Sequence, residues 1–231
     1  MSYRPRRPSL SEPTTLPTGQ VTAITASPRA AGRFDLVVDG NPVARLSIEG
    51  IERLRLRVGQ QLSDQDAARV GAEADVQRTY DRAVAMLASR GRAAGELRRL
   101  LLKKGEAASN VDTALARLRA VGFVDDESFS RQFARYRASA AGWSRRRIER
   151  ELTKRGVDRT LAASIVGEVF AEEGIDDRAT IQREAERKLR TLRRVDEPTR
   201  RRRLYGFLAR RGYDPDTISS VMRGLKVDPA E

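Results

Sequence analysis

The chain of 231 residues contains no cysteine, no histidine and a single tryptophan, and aromatic residues make up only 5% of it. Without cysteine there is no disulfide framework, thiol nucleophile or cysteine-ligated zinc. Without histidine there is no serine–histidine triad, no H-E-x-x-H metal helix and no imidazole acid or base. Any catalysis would fall to carboxylates, lysine, tyrosine or a carboxylate-bound metal, which points toward a binding protein rather than an enzyme. No stretch approaches the ~18 apolar residues that a membrane-spanning helix needs, and mean hydropathy is −0.56. Residues 1–17 are rich in Arg, Pro, Ser and Thr and lack an apolar run. They predict a disordered tail, not a secretory signal. The lack of cysteine fits a reducing cytoplasm.

Positive charge is abundant. Lys and Arg number 45 against 32 acids, a net of +13, and Arg supplies 40 of the 45. Residues 1–78 hold 11 basic and 9 acidic side chains, whereas 79–231 hold 34 and 23. The excess therefore belongs to the C-terminal two-thirds. With a sequence pI near 10.9, the expected partner is a polyanion or an acidic protein groove.

Residues 18–78 predict a small β-rich unit followed by a helix. Val21, Ala23 and Thr25 alternate with polar or small residues, as do Phe34, Leu36 and Val38, and Asp39-Gly40-Asn41 supplies a turn before Val43 to Ile48. Residues 51–58 fit either a strand or a short helix. Ser63-Asp64-Gln65-Asp66 resembles a capping box that opens a helix toward Arg78. So few strand residues bury little by themselves, so this unit should lean on the helices that follow.

From residue 79 the pattern is helical and repeats three times, over 79–125, 126–176 and 177–231. Each unit contains a basic helix with the same ending: Leu97-x3-Leu101-x-Lys103-Lys104-Gly105, Ile148-x3-Leu152-x-Lys154-Arg155-Gly156, and Leu204-x3-Leu208-x-Arg210-Arg211-Gly212. Apolar residues at i and i+4 make a buried stripe. The cations complement the negative helix end, and glycine takes the left-handed position beyond it. Apolar positions recur after each glycine: Val111, Leu115 and Leu118; Ala162, Val166 and Val169; Ile218, Met222 and Leu225. A preceding helix recurs too, marked by Val84/Leu87, Phe133/Tyr136 and Leu189/Leu192. The expected fold is mainly α: tandem three-helix repeats forming an elongated curved rod, preceded by the β-rich unit.

Candidate binding residues are the cations of the three middle helices. On the first they are Arg98, Lys103 and Lys104; on the second Arg145, Arg146, Arg147, Arg150, Lys154 and Arg155; on the third Arg200, Arg201, Arg202, Arg203, Arg210 and Arg211. With Ile148 and Leu152 facing the core, Arg146, Arg147, Arg150 and Lys154 should point mostly outward, unless an Arg147–Glu151 pair simply braces a solvated face. Trp143 fits a packing anchor better than a base-stacking ring. Phe129, Phe133 and Tyr136 read as a core stripe. Asp125 or Asp126 should cap the next helix rather than hold a metal. Gly91-Arg92-Ala93-Ala94-Gly95 lacks the Lys and hydroxyl residue of a phosphate loop. No catalytic, cofactor or metal residues are expected.

Three segments resemble the RecX family, bacterial modulators of the RecA recombinase: Arg92–Gly105, Gly122–Gly156 (GFVDDESFSRQFARYRASAAGWSRRRIERELTKRG) and Arg211-Gly212-Tyr213 followed by Ile218. The resemblance covers essentially all of 79–225. Where typical members have Lys-Gly, this chain has Arg155-Gly156, and residues 1–78 match only the variable extension of longer members. The resemblance implies a non-enzymatic protein of tandem three-helix repeats; a monomeric, cytoplasmic chain is expected. Its partner would be the groove of RecA filaments on single-stranded DNA, with contacts to that strand and to double-stranded DNA. There it would limit filament growth, ATP hydrolysis, strand exchange in homologous recombination and the repressor cleavage of the SOS response. The alternative is a direct DNA-binding module or transcriptional regulator, since three-helix bundles overlap in geometry with helix-turn-helix domains. Middle helices offering mainly Arg and Glu suit backbone contact rather than base reading.

Overall fold

Alternating apolar residues and an Asp-Gly turn build the N-terminal sheet of this computed structural model, which describes residues 14–225. Residues 1–13 of the expected tail and 226–231 of the third repeat lie outside the described residues. Strands β1 (Gly19–Ala26), β2 (Phe34–Val38), β3 (Asn41–Leu46) and β4 (Gln61–Leu62) form an antiparallel sheet of order β3-β2-β1-β4. Val38 pairs with Asn41 across a two-residue turn in which Asp39 and Gly40 both have positive φ, +47° and +80°. That left-handed pair matches the twist of the strands it joins.

Val21, Leu36, Val38, Leu46 and Leu62 form one buried face, closed by Ala67 and Val70 of the next long helix. The first half of the segment that fitted strand or helix, residues 51–54, belongs to helix α1 (Ile48–Leu54), and the rest is turn and irregular chain. The Ser47 hydroxyl accepts from Gly50 N–H at its start, and Arg55 ends it at φ +53°. The cap and Glu49 in the first turn favour the helix. One expectation is corrected: residues 14–17 are not a loose tail. Leu16 lies in the same core, and Thr14 N–H donates to Asp75 at 3.0 Å. A single leucine in a polar stretch gives no periodic signal, so only the fold reveals its pocket.

Helix α2 (Asp64–Ser89) starts at the Ser63 capping box: the Ser63 hydroxyl accepts from Asp66 N–H at 3.2 Å and Asp66 accepts from Ser63 N–H at 3.3 Å. It runs unbroken past residue 78, because no proline interrupts it. Its glycine, Gly71, sits where a Cβ would lie 2.2 Å from Thr14 O. One helix thus covers the sheet and also serves as the first helix of the first repeat.

Eight further helices follow: α3 (Ala94–Lys103), α4 (Ala108–Ala120), α5 (Asp126–Ser139), α6 (Arg145–Lys154), α7 (Arg159–Glu172), α8 (Asp177–Thr191), α9 (Glu197–Arg210) and α10 (Pro215–Gly224). Contacts join α2 to α4, α5 to α6 and α7, and α8 to α9 and α10, the three-helix pattern reused. Leu97, Leu101, Ile148, Leu152, Leu204 and Leu208 are fully buried. Gly105, Gly156 and Gly212 stand at φ +86°, +89° and +88°, so each basic helix ends on the same left-handed residue. Tyr136 is a second correction: it is 61% exposed, and the buried face of α5 is Ser130, Ala134 and Ala138, one turn apart each. Small residues there let α7 approach closely, which displaces the larger ring outward.

The chain divides into two compact units. The first runs to Arg92 and resumes at Glu96 to Val124; the second holds Ala93–Gly95 and everything from Asp125 onward.

Candidate functional site

Paired acids organise the second unit. Asp125 accepts from Glu127 N–H at 2.9 Å and Ser128 N–H at 3.1 Å, capping its own helix α5. Its neighbour Asp126 accepts from Ala94 N–H at 2.7 Å. The arrangement recurs 51 residues on. Asp176 caps α8 through Arg178 and Ala179 at 3.0 and 3.2 Å, and Asp177 accepts from Arg145 N–H at 3.4 Å. The first acid of each pair caps its own helix, and the second caps the first turn of the preceding middle helix. Burial pushes the Asp177 carboxyl above its usual range, against the Arg145 N–H and guanidinium that lower it.

The second and third repeats meet through backbone. Ser144 N–H donates to Arg211 O at 3.0 Å, and the buried Tyr213 hydroxyl donates to Gly142 O at 3.3 Å. Burial pushes that phenol pKa far up, keeping it a neutral donor. A Cβ on Gly212 would fall 2.4 Å from Arg147 Cβ, so this turn admits only glycine without displacement.

Around this joint the expected cations divide by partner. Arg146 and Arg150 on α6, and Arg202, Arg203 and Arg210 on α9, are exposed and form no ion pair among the described residues. Arg201 is half-buried. Arg145 is exposed, with its guanidinium 4.9 Å from the Phe170 ring centre. Lys154 pairs with Glu151 at 3.4 Å, and Arg200 with Glu197 at 3.7 Å. In the first unit Lys103 and Lys104 are exposed at the end of α3, while Arg98 makes a two-pronged pair with Asp112 at 2.8 and 3.2 Å.

Three of the candidate cations turn inward, Arg147 among them against the outward direction expected of it. Arg147 does not brace Glu151; its guanidinium lies 3.7 Å from the Trp143 ring centre. Arg155 lies over Phe133 at 5.1 Å. Arg211 covers Phe207 at 3.7 Å and pairs with the buried Glu184 at 3.0 Å. Helical periodicity places all three at the edge of the polar face, and aromatic rings brought in by the fold decide their direction. Trp143 itself is half-buried, edge-on to Phe133 at 6.2 Å, and serves as an anchor.

Sequence reasoning missed Arg137. Its guanidinium lies 4.5 Å from the Trp143 ring centre, 5.2 Å from Phe133 and 5.3 Å from Tyr136. Nothing in the run Arg135-Tyr136-Arg137 marks it, because the Trp comes from beyond the helix end. Arg131 and Arg135, by contrast, are bound to Glu168 and Glu172 of α7 and to its C-cap Glu173 at 2.7–3.0 Å. The first unit holds a cavity of about 270 Å³ lined by Arg33, Arg53, Tyr80, Arg117 and Val121, but Glu73 and Asp81 already neutralise its arginines. Among the described residues no three acids gather as a metal site, and no helix is long and apolar enough to cross a membrane.

Comparison with known proteins gives two family matches: RecX, second three-helix domain, over residues 125–164, and RecX, third three-helix domain, over 176–222. The regulatory protein RecX of Pelodictyon phaeoclathratiforme is 35% identical over 149 residues, spanning 64% of this chain and 89% of that protein. RecX of Geobacillus kaustophilus is 32% identical over 211 residues, 88% of this chain and 76% of its own. A crystal structure of regulatory protein RecX shares the fold with a TM-score of 0.68 at 18% identity, covering 90% of this chain and 99% of that one. RecX from Lactobacillus salivarius gives 0.51 at 14% identity, over 66% and 97%.

Proposed function

The chain belongs to the RecX family of regulatory proteins, and on that premise we propose that it restrains RecA recombinase by binding along RecA filaments on single-stranded DNA. Filament extension, ATP hydrolysis and strand exchange would fall as a result. The carrying observation is the reuse of one device. Each middle helix buries apolar residues at the same two positions, ends on a left-handed glycine and keeps exposed cations: Lys103 and Lys104, Arg146 and Arg150, then Arg202, Arg203 and Arg210. Repeated cationic helices suit a repeating polyanionic track better than one pocket does, because each contact adds its own electrostatic increment.

The test is a titration of the chain into RecA's DNA-dependent ATPase. Inhibition is expected at ratios well below one chain per RecA protomer. If inhibition appears only when enough chain is present to coat the free DNA, competition for DNA replaces filament binding. A footprint on one operator sequence that survives moderate salt would favour a transcriptional regulator instead.

A further inference from the structure

We propose that the stack Arg137–Trp143–Arg147, with Arg150 and the exposed ring of Tyr136 beside it, seats a nucleotide of single-stranded nucleic acid, phosphate on the guanidiniums and base against Tyr136. This seat rests on the nucleoprotein-binding role above and names its nucleic-acid contact.

Two guanidiniums lie against one indole, at 4.5 Å for Arg137 and 3.7 Å for Arg147. Neither makes an ion pair or donates a side-chain hydrogen bond to a described residue, and the Nε of each is buried without an acceptor. A ring fixes a cation's position but carries no countercharge. Glu151, the acid that acts on Arg147, pairs with Lys154 instead. Desolvation lowers the proton affinity of Arg147, and Arg150, Arg211 and Arg137 add to that effect. Arg137 and Arg147 thus stand among like charges with no ion pair of their own, an arrangement that an arriving anion relieves. Their rotamers are already held by the rings, so little ordering entropy opposes binding.

Tyr136 selects nucleic acid over an acidic peptide. Its ring is 61% exposed and lies 5.3 Å from the same Arg137 guanidinium. An aromatic face next to unpaired guanidiniums matches a nucleotide, which carries a base and a phosphate a few ångströms apart. A run of carboxylates would leave that face unused.

Trp143 is the chain's only tryptophan, so its emission reports on this seat alone. Oligothymidylate titrated into the full chain should change the emission saturably, with affinity falling as salt rises. Arg150→Gln and Tyr136→Ala alter exposed positions and leave the fold intact; each should weaken binding by roughly tenfold. Unchanged affinity in both variants overturns the seat. So does an equal emission change with polyglutamate, which would assign the cluster to an acidic protein. Unaltered emission in a chain that still restrains the RecA ATPase removes the seat and leaves filament regulation standing.

Discussion

Glu73 in the first unit and Trp143 in the second each hold two arginines, by different physics. Glu73 is buried and accepts from Arg117 at 2.7 and 2.8 Å and from Arg53 at 2.8 Å. Trp143 offers only its ring faces to Arg137 and Arg147. The carboxylate cancels charge and makes the guanidiniums part of the scaffold. The indole orients them and leaves their charge intact. Whether an arginine in this chain is structural or available to a polyanion therefore depends on the formal charge of what holds it, not on its sequence neighbours.

That contrast can be broken most forcefully at Glu73. Removing the charge leaves Arg117 and Arg53 facing a neutral amide, so Glu73→Gln should destabilise the first unit by about 3 kcal/mol in urea unfolding. Arg53 is half exposed and contributes the smaller share. Burial opposes ionisation of Glu73, but Arg117 and then Arg53 overcome it and hold the carboxyl below its usual value of 4.5. Its stabilisation is thus complete above about pH 4.5 and lost as pH falls below that. Glu73→Gln should lack this acid limb.

Next in size is Gly212→Ala in the second unit. It combines a left-handed φ of +88° with a Cβ placed 2.4 Å from Arg147 Cβ. A loss of about 2 kcal/mol in the same assay is expected, since the alanine must strain the turn or push α6 aside. Arg147→Met should cost within about 1 kcal/mol, because the lost cation–ring attraction is offset by relief of like charge. If it costs as much as Glu73→Gln, the ring-held arginines are structural after all.

The smallest effect belongs to Asp177. Its carboxyl is raised by burial, so its contribution is present below about pH 3.8 and lost as pH rises through the raised value. Asp177→Asn keeps an acceptor for Arg145 N–H and removes the buried charge. At neutral pH it should stabilise the second unit by no more than about 0.5 kcal/mol, because the site is only half-buried and solvent screens it.

Much of the architecture was legible because it is local and repeated. The i,i+4 apolar pairs, the terminal glycines and the Ser63 capping box each act within a few residues, and repetition multiplies their signal. Leu16, the length of α2 and the exposure of Tyr136 were not legible, since each depends on what packs against it from afar. The candidate site was legible as a set of basic helices, but not as a division of labour. Arg147 and Arg150 look alike in the run Arg145 to Arg150, and only the position of Trp143 separates them. Asp126 reads in the sequence as an ordinary cap of its own helix, but it and Asp177 accept from the first residues of helices in the preceding repeat's segment, 32 residues away in each case.

The most direct test compares two charge reversals in the RecA DNA-dependent ATPase. Arg146→Glu with Arg150→Glu alters exposed cations of α6 that form no ion pair among the described residues, whereas Arg131→Glu with Arg135→Glu alters cations bound to α7 acids. The first pair should abolish substoichiometric inhibition while leaving the melting temperature unchanged, and the second should lower the melting temperature. Full inhibition by a folded Arg146→Glu/Arg150→Glu chain would contradict the account.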